Sequence, residues 1–207
     1  MQRFVLQENI KNFRARLAEA SDDDVGQRLS AMLSAAEREL SLYEASQSGV
    51  LAPWQLASPQ ELAAGRAIAI AAFHVEFDHT DLNASLLDPA PGLVFVEVGG
   101  VDDVAAGRPR SGLIGRALFT LFPENPDDPS AEGVRLLYQA LRGAAETGKE
   151  QSIPVFRYDV QAAGGSYGER WWRSQTRPIF DDEGRLIFVS LLSEDVTEEV
   201  LAERRSA

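Results

Sequence analysis

The hydrophobic period of this chain changes once, near Leu86, and that change requires a fold that joins helices to an antiparallel sheet. Before Leu86, apolar residues recur every three or four positions, the spacing of one face of an α-helix. After it, apolar residues form short runs separated by glycine and proline, as in strands joined by turns. The 207 residues, 44% hydrophobic and 25% charged, have the composition of an ordinary globular protein. We therefore predict an α+β fold.

Residues 1–48 are predicted to form a helical hairpin. Each helix is apolar on one side only, so the hairpin cannot bury both stripes by itself. It packs either on the following domain or on a second chain, and the pattern does not distinguish these alternatives. The apolar residues that would face a second chain, and so make these dimer helices, are Leu6, Ile10, Phe13, Leu17, Leu29, Met32 and Leu40.

Residues 49–85 are predicted to be a linker followed by a third helix that leads into the sheet. Ser58-Pro59-Gln60-Glu61 combines a helix cap, a proline at the first helical position and a glutamate three residues after the cap. The helix is predicted to extend to about His79. Its middle, residues 67–73, also alternates as a strand does, which leaves a strand open there.

Four strands and a helix are predicted beyond Leu86. Strands are predicted at residues 93–98, 154–160 and 186–192, and a further strand begins at residues 170–173. The last three strands in sequence form a meander. Asp181-Asp182-Glu183-Gly184 is typical of a hairpin turn. Residues 131–146 carry one apolar stripe of a helix, and Asp195-Val196-Thr197-Glu198 is typical of the start of a short final helix.

The segment Gly115–Pro129, GRALFTLFPENPDDP, resembles the GR-x-LF-x-x-FP-x-NP-x-DP stretch of a PAS subfamily that is frequent in bacterial sensor histidine kinases. Residues 157–160, 169–172, 178–181 and 194–197 resemble the same subfamily in the same order. The resemblance covers about Leu86 to Val200. The chain departs from the subfamily at Gly99 and Asp102, where an asparagine and an aromatic residue are usual, and at Leu191 and Leu192, where a polar pair is common.

This resemblance implies a PAS domain at residues 86–197, with a five-stranded antiparallel sheet and helices on one face. It also implies dimerisation through flanking helices. Asp195 and Thr197 match the D-x-T element that joins the sheet to an output helix, here residues 198–207. Because that helix is short, we expect a bacterial stand-alone regulator that is not an enzyme. Its signal would pass through protein contacts, as a homodimer or to a histidine kinase of a two-component system.

Charge and composition exclude several function classes. The net charge of −12 makes nucleic acid and anionic membrane surfaces poor partners. The chain has no cysteine, which excludes disulfides, thiolate catalysis and a flavin attached through a thiol. No apolar run approaches the roughly 20 residues that span a bilayer, and the N-terminus becomes polar too soon for a signal peptide. We expect a cytoplasmic protein.

No cofactor and no metal site are predicted. The one cluster with metal-ligating side chains, His74–Asp81, brings at most two good ligands together on a helix. The predicted helix at 131–146 offers no axial ligand for a haem. A flavin held without a covalent bond stays open, since Trp171 and Trp172 could flank a ring, although adjacent strand residues point to opposite faces. One tryptophan is then expected in the core and the other at an interface.

The bulky residues of the predicted strands are the candidates for a pocket wall: Phe95, Phe156, Tyr158, Trp172 and Phe188. If they enclose a ligand, the chain is a small-molecule or cofactor receptor, which is the alternative to a regulator that acts only through protein contacts. The same residues would otherwise form a core. No acid, base and nucleophile come together in the pattern, and no phosphate-binding loop is present.

Overall fold

The computed structural model describes residues 1–51, 57–80, 82–100, 104–105, 108–162 and 165–206. Two of the positions discussed above, Asp81 and Asp102, lie outside these residues. The helices are α1 (Gln2–Glu19), α2 (Asp23–Ser48), α3 (Pro59–Phe77), α4 (Leu118–Leu121), α5 (Gly133–Thr147) and α6 (Thr197–Ser206), with a 3-10 turn at Arg110–Gly112. The strands are β1 (Asn83–Leu87), β2 (Phe95–Gly99), β3 (Val104–Ala105), β4 (Arg108–Pro109), β5 (Gln151–Arg157), β6 (Val160–Gln161), β7 (Tyr167–Gly168), β8 (Trp171–Phe180) and β9 (Leu186–Asp195).

Five antiparallel strands form the main sheet in the order β2-β1-β9-β8-β5. This confirms the predicted α+β fold with a five-stranded sheet. The strand β1 was missed, because it lies in the segment that was predicted to be linker and helix. It is a central strand whose residues 84–87 are all buried, so it does not alternate between apolar and polar residues.

The two edge strands of the sheet are both interrupted or covered. The edge strand β5 contains Pro154, which has no N–H to donate, and its pairing with β8 shifts register between Ile153 and Phe156. Along β2, the Phe95 N–H donates to the Arg116 carbonyl at 3.0 Å and the Phe95 carbonyl accepts from the Gly115 N–H at 2.8 Å. The segment around residue 116 therefore covers the β2 edge.

The inner face of the sheet packs against α4 and α5 and forms the larger core. Its fully buried members include Leu93, Phe95, Leu141 and Val189. The stripe predicted at 131–146 faces the sheet, since Val134, Leu137, Tyr138 and Leu141 of α5 are all buried. A capping box at Ser58 and Glu61 begins α3, as the sequence predicted.

The outer face of the sheet is covered in part by α3. Leu62, Phe73 and Phe77 of α3 form a second core with residues of β1 and β9, including Leu86 and Phe188. The helix reaches the sheet at Gly99, the position where an asparagine is usual in the resembling subfamily. A Cβ atom at Gly99 would lie 2.8 Å from the Phe77 Cβ and 3.0 Å from the Phe73 ring. Glycine at this position permits the close approach of α3 to the end of β2.

The substitution Gly99→Ala is therefore expected to lower the free energy of unfolding by about 1 to 2 kcal/mol, the cost of overpacking a closed contact. Amide hydrogen exchange in α3 should accelerate more than exchange in α5. Gly26→Ala is the matched control, because nothing lies within 4 Å of a Cβ at Gly26 and alanine favours helix there. An equal cost at both glycines, measured by urea denaturation, would contradict this interpretation.

The helical hairpin of α1 and α2 docks on α5 in the same chain. Two carboxylates of α2 each lie between an arginine of α1 and an arginine of α5. Glu44 contacts Arg3 at 2.8 Å and Arg142 at 2.9 Å. Glu37 contacts Arg14 at 2.5 Å and Arg135 at 3.5 Å. We call these two groups, Arg3–Glu44–Arg142 and Arg14–Glu37–Arg135, the carboxylate clamps.

The structure places the predicted dimer-helix residues mainly inside the single chain. Leu6, Ile10 and Leu29 are buried, and Phe13, Leu17 and Leu40 are partly buried, whereas Met32 is half exposed. The C-terminal end of α2 joins the inner core through Ala45, and the Tyr138 hydroxyl donates to the Gly49 carbonyl at 3.0 Å. Among the described residues, no helix is long and apolar enough to cross a membrane.

Candidate ligand cavity and signal contacts

A small cavity of about 70 Å³ lies between the inner face of the sheet and α5. Its walls combine aromatic rings with serine hydroxyls from the central strands. The Ser174 and Ser193 hydroxyls are 3.0 Å apart and form one hydrogen bond between β8 and β9. The lining residues are Asn83, Ser85, Phe95, Leu118, Phe122, Leu137, Phe156, Tyr158, Asp159, Val160, Trp172, Ser174, Leu191 and Ser193.

Four of the five predicted pocket residues come together at this cavity: Phe95, Phe156, Tyr158 and Trp172. The prediction for Phe188 was wrong. Phe188 lies on the outer face of β9, where it packs in the core under α3 and the Arg66 guanidinium lies 5.1 Å from its ring centre. Residues 186–192 are almost continuously apolar because both faces of β9 are covered, so the pattern does not show which face each residue takes.

Asp159 closes one side of the cavity with a buried carboxylate. It accepts hydrogen bonds from Arg157 Nε and Nη2 at 2.8 Å each and from Asn125 Nδ2 at 2.8 Å. Burial acts to raise the pKa of Asp159, but these hydrogen bonds outweigh burial and hold the pKa below its usual value. We call Asp159, Arg157 and Asn125 the Asp159 latch.

Residues of the motif that carried the resemblance take part in the Asp159 latch or contact it. Asn125 belongs to the FPENPDDP stretch, and Asp128 of the same stretch lies 3.4 Å from Arg157. The neighbouring Tyr158 hydroxyl donates to the Phe122 carbonyl at 2.5 Å, and Trp172 Nε1 donates to the Tyr158 carbonyl at 2.9 Å. The motif therefore ties the loop before α5 to the end of β5, next to the cavity.

The predicted signal-transmission residues Asp195 and Thr197 join the sheet to α6. The Asp195 carboxylate accepts from the Thr197 N–H at 3.0 Å, and the Thr197 hydroxyl accepts from the Trp171 N–H at 2.9 Å. Arg204 of α6 lies 4.4 Å from the centre of the Trp171 ring. Trp172 lies at the cavity, in the inner core, whereas Trp171 packs against the final helix of the same chain.

The His74 cluster forms a chain of ion pairs at the end of α3. His74 Nδ1 lies 2.9 Å from Asp78, and His74 Nε2 lies 3.2 Å from Glu97, which also contacts Arg110. In the described part of the chain, no three metal-ligating side chains are grouped as an ion would require. Phe73 and Phe77 of the same helix pack inward in the outer core. The cluster connects α3 to β2.

The pKa of His74 is raised, chiefly by its hydrogen bond to Asp78, with Glu97 adding to the effect against partial burial. A raised pKa means that the folded state favours the protonated ring. This contribution is complete below the unfolded pKa of about 6.5 and is lost as the pH rises through the folded value. We therefore expect the free energy of unfolding to fall as the pH is raised through the neutral range.

The experiment compares denaturation midpoints across that range for the native chain and His74→Gln. The variant should show a flatter pH dependence. His79→Gln, the same change at the other histidine of the chain, serves as the control. If His74→Gln keeps the native slope, the ion pairs of His74 do not contribute to the docking of α3.

Sequence reasoning missed the polar members of the cavity wall. Ser85, Ser174 and Ser193 lie on central strands among apolar residues, and Asp159 lies two residues after the exposed Arg157. One signal was available, since Asp159 is part of the RYD segment that resembles the subfamily. The serines carry no such signal, because a serine on a strand is equally compatible with solvent.

Comparison with known proteins identifies the family. A family model described as the PAS fold matches residues 93–201. No curated protein matches the chain in sequence. The chain is similar to the PAS domain of a protein from Colwellia psychrerythraea, with 15% identity over 64% of this chain and 98% of that one and a TM-score of 0.45.

Two other solved structures show similar figures. The PAS domain of the fruit-fly ELK potassium channel is 17% identical over 63% of this chain and 97% of that one, with a TM-score of 0.46. The LOV domain of the blue-light photoreceptor Aureochrome1 is 17% identical over 67% of this chain and 98% of that one, with a TM-score of 0.42. Because the family model covers more than half of the 207 residues, this chain belongs to the PAS-fold family, a family of sensory domains.

Proposed function

We propose that this chain is a sensory regulator that acts through protein contacts and does no chemistry of its own. The observation that carries the proposal is the size of the inner cavity, about 70 Å³. A cavity of about 150 Å³ holds benzene, and pockets for larger ligands measure roughly 300 to 1,000 Å³. The inner face is therefore packed as a core, which favours signalling through surfaces.

The contacts between β8 and α6 support this proposal. Trp172 lines the cavity, and the residue before it on the strand, Trp171, contacts both Thr197 and Arg204 of α6. A shift of β8 would therefore change the position of the final helix directly. We propose that α6 presents this change to a signalling protein, with a histidine kinase as one such partner.

We also propose that the chain is a homodimer. Leu6, Ile10 and Leu29 of the hairpin are buried within one chain. Phe4 of the same hairpin is 67% exposed, and Met32 is 49% exposed. Apolar side chains exposed on the same hairpin are available to a second copy. The solution mass of the full chain tests this part of the proposal.

A second candidate function is a receptor for a very small ligand. The observation that favours it is the pairing of the Ser174 and Ser193 hydroxyls with aromatic walls, since ligand sites combine apolar linings with a few polar groups. Its ligand would have only a few non-hydrogen atoms. This candidate and the leading proposal differ in whether the purified chain retains a small molecule.

Native mass spectrometry of the full chain separates the two functions. The proposed regulator should appear as a dimer with no added mass. Ser193→Val, which fills part of the cavity, should then leave the spectrum unchanged, as should the control Ser190→Val on the opposite face of β9. A reproducible added mass that disappears in Ser193→Val alone would overturn the leading proposal in favour of the receptor.

A further inference from the structure

An open groove of about 390 Å³ runs between α3 and the hairpin that joins β8 to β9. It lies on the outer face of the sheet, away from the inner cavity. Helix α3 comes very close to the hairpin, since a Cβ at Gly65 would lie 2.7 Å from the Asp181 Cβ. The lining residues are Glu61, Ala64, Gly65, Ile68, Ala69, Ala72, Ile179, Phe180, Asp181, Asp182, Glu183, Arg185 and Ile187.

The floor of the groove is apolar and exposed. Ile68 of α3 is 67% exposed, and Phe180 at the end of β8 is 37% exposed. Beyond the groove, Val75 continues the same face of α3 and is 83% exposed. Exposed apolar groups that are contiguous in this way are typical of interaction sites.

The spacing on this face of α3 indicates a helical occupant. Ala64, Ile68, Ala71 and Val75 follow one another at intervals of four, three and four residues, which is the period of a seam between two packed helices. The alanines are short, so the backbone of a second helix can approach closely. Apart from the ends of α3, this exposed face carries no charge that would oppose apolar packing.

The rim of the groove is acidic. Glu61, Asp181, Asp182 and Glu183 face a single guanidinium, Arg185, so four carboxylates and one guanidinium leave a net charge of −3. Arg185 is already engaged, at 2.7 Å from Asp181 and 2.8 Å from Glu183. Asp182 is exposed and has no ion pair with another described residue. The rim therefore attracts cations.

We infer that this groove binds a basic amphipathic helix of a partner protein, an inference that rests on the proposed signalling through protein contacts. Leucine-type side chains of that helix cover Ile68 and Phe180, while its lysine or arginine residues meet Asp182 and Glu183. A second copy of this chain is a poorer occupant. It would bring another acidic rim, on a chain of net charge −12, against this one.

The test measures binding of a fluorescent amphipathic helical peptide of about five turns, with leucine at the seam positions and lysine on the flanks, to the full chain. A second peptide with glutamate in place of lysine is the charge control. We expect the lysine peptide to bind, its affinity to fall as salt is added, and the glutamate peptide not to bind. Binding of both peptides alike would overturn the inference.

Paired variants locate the binding. Ile68→Asp should weaken binding of the lysine peptide roughly tenfold or more, whereas Val25→Asp, at an exposed apolar residue of α2, should not. Asp182→Lys should weaken binding several-fold, and Asp127→Lys, with the same charge change in an exposed turn, should not. Equal losses within either pair would show attraction to the acidic chain as a whole and would overturn the inference.

Two further outcomes separate this inference from the proposed function. If the full chain dimerises and Ile68→Asp abolishes the dimer, the occupant is a second copy and the inference fails. If native mass spectrometry shows a retained small molecule while the paired variants behave as expected, the proposed function fails and the groove remains a docking site. Both results come from the same set of purified proteins.

Discussion

Replacing Asp159 with alanine is expected to lower the free energy of unfolding by about 2 to 4 kcal/mol, the largest effect among the substitutions considered. The carboxylate accepts three hydrogen bonds of 2.8 Å, and its side chain is only 4% exposed. Its loss leaves the Asn125 amide without this acceptor and weakens the attachment of the loop before α5 to the end of β5. Urea denaturation gives the free energy, and hydrogen exchange locates the change.

Asp127→Ala is the matched control for Asp159→Ala, because Asp127 lies exposed in the loop before α5 that Asp159 contacts, and its N–H rather than its carboxylate makes the local hydrogen bond. Asp127→Ala should change the free energy of unfolding only slightly. A double-mutant cycle between Asp159 and Asn125 should show a coupling energy, since the two side chains share one hydrogen bond. Independent, additive effects would show that the latch is not a unit.

The Asp159 latch also gives a pH dependence on the acid side. A lowered pKa means that the contribution of Asp159 is present above the unfolded value, near 3.9, and is lost as the pH falls through the folded value. Acid denaturation of the native chain should therefore be steeper than that of Asp159→Asn. This direction is opposite to that of His74, whose contribution is lost as the pH rises.

Replacing Glu44 with alanine is expected to cost about 2 to 3 kcal/mol, the second largest effect. Glu44 is 7% exposed and contacts both Arg3 and Arg142, so its loss leaves two guanidinium groups without this partner. Breaking a fully buried ion pair costs about 3 to 5 kcal/mol, and the arginines here are half exposed, so the effect is smaller. Amide exchange in α1 should accelerate first, because α1 touches α2 and is held by the carboxylate clamps.

Glu39→Ala, at an exposed position of the same helix, is the matched control and should leave the free energy of unfolding almost unchanged. A double-mutant cycle between Glu44 and Arg142 measures the contact between the hairpin and α5 directly. If Glu39→Ala destabilises the chain as much as Glu44→Ala does, the effect comes from helix propensity and not from the clamp.

Local patterns were sufficient for most of the fold. The capping box at Ser58, the stripe on α5 and the turn at Asp181–Gly184 depend on residues close together in the chain, and each was predicted from the sequence. The aromatic residues around the cavity were predicted because bulky apolar residues on a strand are typical of a core or a pocket wall. These features are encoded within a few neighbouring residues.

Contacts between distant residues were not predictable in the same way. The carboxylate clamp at Glu44 joins residues 41 and 98 positions apart, and in the sequence Glu44 has the pattern of an ordinary solvated residue of α2. The strand β1 and the placement of Phe188 were missed for a related reason. Both depend on α3 covering the outer face, which hides the alternation that usually distinguishes one side of a strand from the other.

Both edges of the sheet are interrupted or covered, and this limits the ways in which a partner can bind the protein. Pro154 and the register shift interrupt β5, and the segment around Arg116 already occupies the hydrogen-bonding groups of Phe95 on β2. An extended peptide that binds by adding a strand needs a free row of backbone N–H and carbonyl groups. A partner would then recognise the side chains on the surface and not the backbone of a sheet edge. Surface substitutions can therefore change which partner binds without altering the backbone pairing of the sheet.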